Sequence, residues 1–370
     1  MGEPPPLLPG FSMYEGHTVG VVVPAYNEAD NVAQVIEGIP SYVDRVYVVD
    51  DGSTDDTWME IERTVTNGGD SYQGGFASER DHVGPTENEQ SLEIVTGTAI
   101  SRRRVVPIRH EENRGVGGAI KTGYRAAYRD GIDVVAVIAG DDQMDPAMLA
   151  SLLDPIVEGQ ADYAKGNRLL YPETRRGVPR FRLVGNVILS VLTKIASGYW
   201  TISDSQNGYT AISRQALESV AFEEMYEFYG YCNDLLVKLN ASDQVVVDVP
   251  ASITYGDETS HISYRSYIPR VSVMLLLNFL WRLKEKYVVR DFHPLVLLYG
   301  LGAVGAGITI KRILEGLRSR TRGDRADGDG EASSPVSIGF LSVLALVFAM
   351  IEDRRHNEHL DEQRHDRPRH

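Results

Sequence analysis

The chain is poor in cysteine and in lysine. Its 370 residues hold one cysteine, Cys232, which excludes an intrachain disulfide and a cysteine-based zinc site. That thiol reads as a small buried side chain rather than a nucleophile. The nine histidines show no metal-ligand spacing, and His356, His359, His365 and His370 fall in a polar stretch that reads as solvated. Seven of the 37 basic residues are lysine, against 52 acidic residues, for a net charge of −15. An acidic chain of this kind has little drive to bind nucleic acid, and no such partner is expected. Scarce lysine with abundant carboxylate fits a salt-rich cytoplasm, where exposed charges are screened; the simpler alternative is a GC-rich genome and an ordinary acidic protein. The Pro-rich first residues lack the basic-then-apolar order of a signal peptide, so the domain that follows is expected in the cytoplasm.

What is present is unevenly distributed. Residues 1–263 carry 20 basic and 39 acidic side chains, or −19, while residues 264–370 carry 17 and 13, or +4. Such an asymmetry predicts two parts with different surroundings. In the first part apolar strand-like runs alternate with helical periodicity. Strands are expected at 19–23, 46–49, 105–108 and 134–138. A helix from about Asn31 would place Val32, Val35, Ile36 and Ile39 on one face, and another would align Ile120, Tyr124 and Ala127. This alternation predicts a mostly parallel α/β sheet, which binds ligands at the carboxyl ends of its strands. Residues 66–98, rich in Gly, Ser, Asn and Glu, break the rhythm and read as an acidic surface insertion.

Four polar clusters fall at those strand ends: 24–28, 50–53, 113–118 and 140–143. No Gly-x-Gly-x-x-Gly follows the first strand, which argues against a dinucleotide site. Asp50, Asp51, Asp141 and Asp142 can instead converge on one crevice. A divalent cation shared between one or two carboxylates and a diphosphate would suit them. The simpler reading of any one Asp is a turn or cap, and Asp145 before Pro146 reads as a helix cap. The glycine-rich turn at 113–118 has the look of a phosphate cradle, a weak signal on its own.

In order along the chain stand Val23-Pro24-Ala25-Tyr26-Asn27-Glu28, Val48-Val49-Asp50-Asp51-Gly52-Ser53-Thr54-Asp55, Asn113-Arg114-Gly115, Gly140-Asp141-Asp142-Gln143, Lys165-Gly166-Asn167-Arg168 and Asp204-Ser205-Gln206-Asn207-Gly208-Tyr209. Together they resemble family 2 glycosyltransferases of the GT-A fold, over roughly residues 18–255. Within that family the chain is most similar to polyprenyl- and dolichyl-phosphate sugar transferases. The resemblance implies an α/β catalytic domain with a Rossmann-like, mostly parallel sheet. It implies a nucleotide-sugar donor lined by Pro24, Ala25, Tyr26 and Glu28, with Asp51 on the base or ribose. It implies Mg²⁺ or Mn²⁺ on Asp141, supported by Gln143. Ala139 stands where the family has the first Asp of its Asp-x-Asp, so Asp141 is the lone matching carboxylate. Together with the composition, it points to a halophilic archaeal source.

Two acceptors stay open. A polyprenyl phosphate is already ionised and needs cations rather than a base; the resemblance places Arg168 and Arg180 or Arg182 there, within the cluster that also holds Arg175 and Arg176. The family's later arginine is Thr210 here. A hydroxyl of a lipid-linked glycan needs a carboxylate base, and Asp234 lies at the family's position for it. The simpler reading of Asp234 is a first-turn helix residue.

The second part reads as a membrane attachment. Residues 264–291 are expected to form an amphipathic interfacial helix, with Trp281 and a basic rim of Arg282, Lys284 and Lys286. Residues 294–310 and 335–351 are uncharged runs, long enough for helices of about 25 Å. Gly300, Gly302, Gly305 and Gly307 would let them pack closely as a hairpin. The expected arrangement is a multi-pass protein of the cell membrane with a cytoplasmic catalytic domain. The alternative is a pair of buried helices in a soluble domain. A hairpin would place the basic connection (Lys311, Arg312, Arg318, Arg320, Arg322, Arg325) outside, against the positive-inside tendency.

Overall fold

The computed structural model describes residues 13–67, 77–78, 104–168, 170, 180–251, 264–322 and 335–363. Most of residues 1–17 and of the 66–98 insertion, together with Arg175 and Arg176, lie outside the described residues, as do the side chains of Arg180 and Arg182.

The strands are β1 (Val19–Ala25), β2 (Arg45–Asp50), β3 (Ala77–Ser78), β4 (Val105–Arg109), β5 (Val134–Val137), β6 (Tyr163–Asn167), β7 (Thr210–Ser213), β8 (Val246–Pro250) and β9 (Asp361–Gln363). They form one sheet in the order β3-β4-β2-β1-β5-β7-β6-β8-β9. Among the described strands only β7 is antiparallel, pairing in that sense with β5 and with β6. The carboxyl ends of β1, β2, β4, β5, β6 and β8 therefore share one edge.

Helices α1 (Val32–Gly38), α2 (Thr57–Asn67), α3 (Val116–Arg129), α4 (Leu149–Val157), α5 (Arg180–Ser197), α6 (Arg214–Ser219) and α7 (Tyr231–Ala241) cover both faces. Strand alternation explains how. Val21, Val23, Val46 and Val48 pack with Val35, Ile36, Leu149 and Leu153 on one side. Val22, Tyr47 and Val49 pack with Ile120, Tyr124, Leu235 and Leu236 on the other. Both faces are apolar because crossover helices cover both.

The 66–98 insertion contributes one short described strand to the sheet edge. Ala77 and Ser78 pair with Ile108 and Arg109 at the sheet edge. Two residues are too few to show a periodicity.

Beyond the sheet, α8 (Tyr264–Lys284) continues through a π-helical turn, Glu285–Arg290, into α9 (Leu295–Arg322) and α10 (Pro335–Asn357). The segments Leu295–Arg318 and Val336–Asn357 are long and apolar enough to cross a membrane, with 11% and 17% of their most apolar windows buried. The two pack as a hairpin: Gly302 lies against Leu346, Gly305 against Ser342, and Gly339 against Thr309, whereas Gly300 and Gly307 face open space. On α8, Val271 and Leu275 are buried and Val273, Leu276, Leu277, Leu280 and Trp281 are exposed.

Two sequence expectations are corrected here. Arg282 and Lys286 are not a solvated rim; they are 0% and 4% exposed. Arg282 meets Asp353 of α10 at 2.8 Å, and Lys286 meets Asn357 at 2.7 Å. The polar stretch after the hairpin is not merely a solvated tail either. It returns to the sheet, where β9 pairs with β8 through Val246↔Asp361 and Val247↔Glu362.

Candidate active site

The residues expected to form the site gather where β1 and β2 end. Asn27, at φ 57°, turns the chain out of β1. Its N–H donates to Ser53 Oγ at 2.9 Å and its side-chain oxygen accepts from Thr54 N at 2.9 Å. Glu28 N donates to Thr57 Oγ1 at 2.7 Å. The loops after β1 and β2 are thus stitched into one wall. Pro24 and Ala25 are its buried floor, Tyr26 is 45% exposed, and Glu28 is half-buried.

Asp50 and Asp51 serve this architecture. Asp50 Oδ1 accepts from Ser53 N at 3.0 Å, closing the turn, and Arg109 lies 3.2 Å from its other oxygen. Asp51 is 2% exposed. Its oxygens accept from Arg114 N at 2.9 Å and Gly115 N at 2.8 Å, and His110 Nδ1 lies 2.7 Å away. His110 Nε2 is in turn 3.0 Å from Thr122 Oγ1. Asp51 was expected against a base or ribose; these bonds make it a brace of the glycine-rich turn and leave it little surface for a nucleoside.

The glycines of that turn also find another explanation than a phosphate cradle. Gly115 sits at φ +87° with Glu227 O 2.6 Å from where a Cβ would stand, and a Cβ on Gly117 would collide with Tyr226 O. The turn admits the backbone of residues 226–228 at close range, which any side chain would block.

Asp141 stands beside the end of β1. Gly140 N donates to Pro24 O at 3.1 Å, and Asp141 Oδ1 accepts from Gln143 N at 3.2 Å. Asp142, at φ 55°, directs its carboxylate to Gln34 Nε2 of α1 at 2.8 Å. Asp145 caps the following turn, accepting from Ala147 N at 2.9 Å. Among the described residues no three His, Cys, Asp or Glu side chains group to hold a metal. An all-protein cage is therefore a poor fit. Asp141 with Gln143 fits an ion that takes its other ligands from a diphosphate and water, as Mg²⁺ does.

Arg168 follows β6 at the same edge. Its guanidinium grips Asp204 with two bonds of 2.6 Å, and its own N–H donates to Asp204 at 3.0 Å. Burial alone would push the Asp204 carboxyl up; the Arg168 hydrogen bonds and charge outweigh it, and the carboxyl lies below its ordinary value. A depressed folded value stabilises the protein above the unfolded pKa and loses that contribution as pH falls through the folded one. Asp204→Asn is expected to cost about 1–3 kcal/mol at pH 7. The gap between the melting temperatures of wild type and variant should begin to close below about pH 4 and close fully only below the depressed folded value; a gap that persists unchanged in strong acid would show that the charge of Asp204 is not what matters.

Below this pair, Lys165 is wholly buried. It donates to the carbonyls of Ser203 and Asp204 at 2.8 Å each and lies 3.3 Å from Asp248. It builds the loop that carries Asp204. Thr210, where the resemblance expects arginine, is 0% exposed within β7. Cys232 is buried, its thiol donates to Asn207 O at 3.6 Å, and burial pushes its pKa up to about 11, which fits an inert thiol.

Asp234 lies 3% exposed in the first turn of α7. Oδ2 accepts from Tyr226 N at 2.9 Å; Oδ1 accepts from Asn278 Nδ2 at 2.6 Å and from Lys238 Nζ at 3.3 Å. A carboxylate so enclosed is poorly placed to take a proton from an acceptor hydroxyl, which must come within hydrogen-bond reach.

Tyr229 is not among the residues singled out in the sequence. Although the side chain is 58% exposed, its phenol is raised above the ordinary value, first by partial desolvation and then by the charges of Asp141 and Glu28. Its signal was the Phe228-Tyr229-Gly230-Tyr231 run, aromatic residues around a glycine at φ +116°.

The sequence matches the family described as Glycosyl transferase family 2 over residues 20–72 and 86–221. It is 28% identical over 238 residues to the UDP-N-acetylglucosamine–dolichyl-phosphate N-acetylglucosaminyltransferase of Methanococcus voltae, covering 64% of this chain and 86% of that one. It is 27% identical over 238 residues to the polyprenol monophosphomannose synthase of Mycolicibacterium smegmatis, covering 63% and 76%. Among solved structures, glucosyl-3-phosphoglycerate synthase from Mycobacterium tuberculosis with Mn²⁺, UDP and phosphoglyceric acid aligns with a TM-score of 0.46 at 20% identity, covering 72% of this chain and 78% of that one.

Proposed function

The chain belongs to glycosyl transferase family 2, and on that premise we propose that it moves a sugar from a nucleotide sugar to the phosphate of a polyprenyl (dolichyl) carrier at the membrane surface. The observation that carries the choice of acceptor is the enclosure of Asp234. With both its oxygens engaged, Asp234 is poorly placed to act as the base that a hydroxyl acceptor would require, and a phosphate acceptor requires none. The relatives named for dolichyl- and polyprenol-phosphate substrates point the same way.

In this reading Pro24, Ala25, Tyr26 and Glu28 line the nucleoside. Asp141 and Gln143 would hold Mg²⁺ or Mn²⁺, which neutralises charge on the leaving diphosphate when bound. Arg168, fixed by Asp204, offers a cation to the acceptor phosphate, and Arg180 and Arg182 head the helix that begins nearby in the chain. A phosphate oxygen attacks the anomeric carbon opposite the nucleoside diphosphate. The new C–O bond forms as the bond to the diphosphate breaks, with inversion. Positioning and charge stabilisation supply the rate. The exposed apolar residues of α8 and the α9–α10 hairpin would seat the enzyme on and in the bilayer, with the catalytic domain in the cytoplasm. The acidic composition supports a salt-adapted source.

Membranes containing the protein, incubated with labelled nucleotide sugars, test this. Label should enter the lipid extract, leave it on mild acid treatment, and fail to appear when EDTA is present. Label confined to longer glycans would favour the hydroxyl acceptor, and turnover unaffected by EDTA would remove the metal role of Asp141.

A further inference from the structure

Residues 226–230 run as a strap between the glycine-rich turn and α8. On the site side, Gly118 N donates to Glu227 O at 3.0 Å, and the Glu227 carboxylate takes Lys121 Nζ at 2.9 Å and Arg114 at 3.5 Å. Tyr229, 58% exposed, belongs to the same strap, within electrostatic reach of Asp141 and Glu28. On the other side, the strap's Tyr226 N–H ends on Asp234, whose second oxygen takes Asn278 of α8 at 2.6 Å. Lys238, which also bonds Asp234, sits 5.6 Å from the Trp281 ring centroid on α8. A Cβ on Gly230 would stand 3.2 Å from Val271 of α8. The residues next to Asn278 in the chain, Leu276, Leu277, Leu280 and Trp281, are the exposed apolar ones.

We infer that Asp234 is a positioning residue that fastens the strap to the membrane-facing helix, so that seating α8 on lipid sets the geometry of the donor site. A carboxylate suits the position because three donors from three places (a strap amide, an α7 ammonium and an α8 amide) converge on it. An apolar residue would leave them unpaired, and buried donors without partners are costly. The helix carries the apolar surface and the strap carries Tyr229; the carboxylate joins them. What the strap covers rests on the nucleotide-sugar reading, while the coupling itself rests on these bonds.

The test uses the full chain in phospholipid nanodiscs and in detergent. Asn278→Asp sets a second carboxylate against Asp234. The double variant Asp234→Asn with Asn278→Asp restores the bond with its polarity reversed, since the new amide can accept from Tyr226 N and donate to the new carboxylate. Hydrogen exchange at the Gly118 and Tyr226 amides, and affinity for UDP and GDP with Mg²⁺, are the readouts. The single variant should lose protection at both amides and bind the nucleotide about tenfold more weakly, and the double variant should recover most of both. In wild type, protection should be higher in nanodiscs than in detergent.

Unchanged exchange in Asn278→Asp, equal protection in both media, or lost protection with unchanged nucleotide affinity would each overturn the coupling. A double variant that regains protection and nucleotide binding but not transfer would overturn the positioning role in favour of Asp234 as a base. If wild type bound neither UDP nor GDP, the donor assignment would fail, and the exchange results would decide the coupling alone.

Discussion

Asp141→Asn is expected to lower kcat/KM for sugar transfer by about 10²- to 10³-fold, the loss typical when one charge-stabilising contact is removed from a transition state. Asp142→Asn should change it by less than about tenfold, because a rim contact outside the transition state contributes little to rate. The contrast comes from geometry. Asp141 sits against the end of β1 beside Gln143, where a leaving diphosphate would lie, while Asp142 is turned at φ 55° onto Gln34 of α1. Ala139 supplies no carboxylate two residues before it to share the load. Circular dichroism and melting temperature should be nearly unchanged in both variants, since neither residue belongs to the apolar clusters. Equal losses in the two variants would mean that the pair acts jointly, and a mild loss in Asp141→Asn would move the metal site elsewhere.

The sheet and its crevice were legible because parallel strands buried on both faces leave continuous apolar runs. Val46, Val48 and Val49, or Val134, Val135 and Val137, declare themselves without any partner. Positions of site residues followed, since strand ends are fixed once strands are. Which contacts those residues make did not follow. Asp51 and Asp234 are acidic residues at plausible ligand positions, and only tertiary placement shows that backbone amides from Arg114, Gly115 and Tyr226 occupy them. The glycines at 115 and 117 looked like a cradle because the strap they admit is more than 100 residues away in the chain. The same limit hid β9. Asp361 to Gln363 is polar, and only its pairing with β8 identifies it as a strand.

Asp353→Ala is expected to destabilise the protein by about 3–5 kcal/mol, the usual consequence of leaving one partner of a buried ion pair alone. Asp353 and Arg282 are both 0% exposed. The carboxylate takes two guanidinium bonds, at 3.1 and 2.8 Å, and the Tyr287 hydroxyl at 2.6 Å. Arg282 also donates to Ala196 O at 2.8 Å, to Ile195 O at 3.2 Å and to Asn240 at 3.1 Å, so it cannot swing out to water without breaking the end of α5. Arginine does not shed its proton under ordinary conditions, so the variant must bury an uncompensated charge. The network joins α5, α7, α8 and α10, and β9 follows α10 directly. Detachment should therefore spread to the sheet edge, and amides of the β8–β9 pair should exchange faster. Asp353→Asn, which keeps the shape and part of the hydrogen bonding, should cost less. Replacing both partners with apolar residues should recover part of the loss, limited by the Asn240, Asn357 and Tyr287 groups left behind. In detergent the alanine variant should melt roughly 6–20 °C lower, taking about 2–4 °C per kcal/mol for a domain of this size. If the alanine and asparagine variants melted together, water would be reaching Arg282. The hairpin would then be held to the catalytic domain by apolar contacts such as Tyr287, Leu295 and Ala349 rather than by charge.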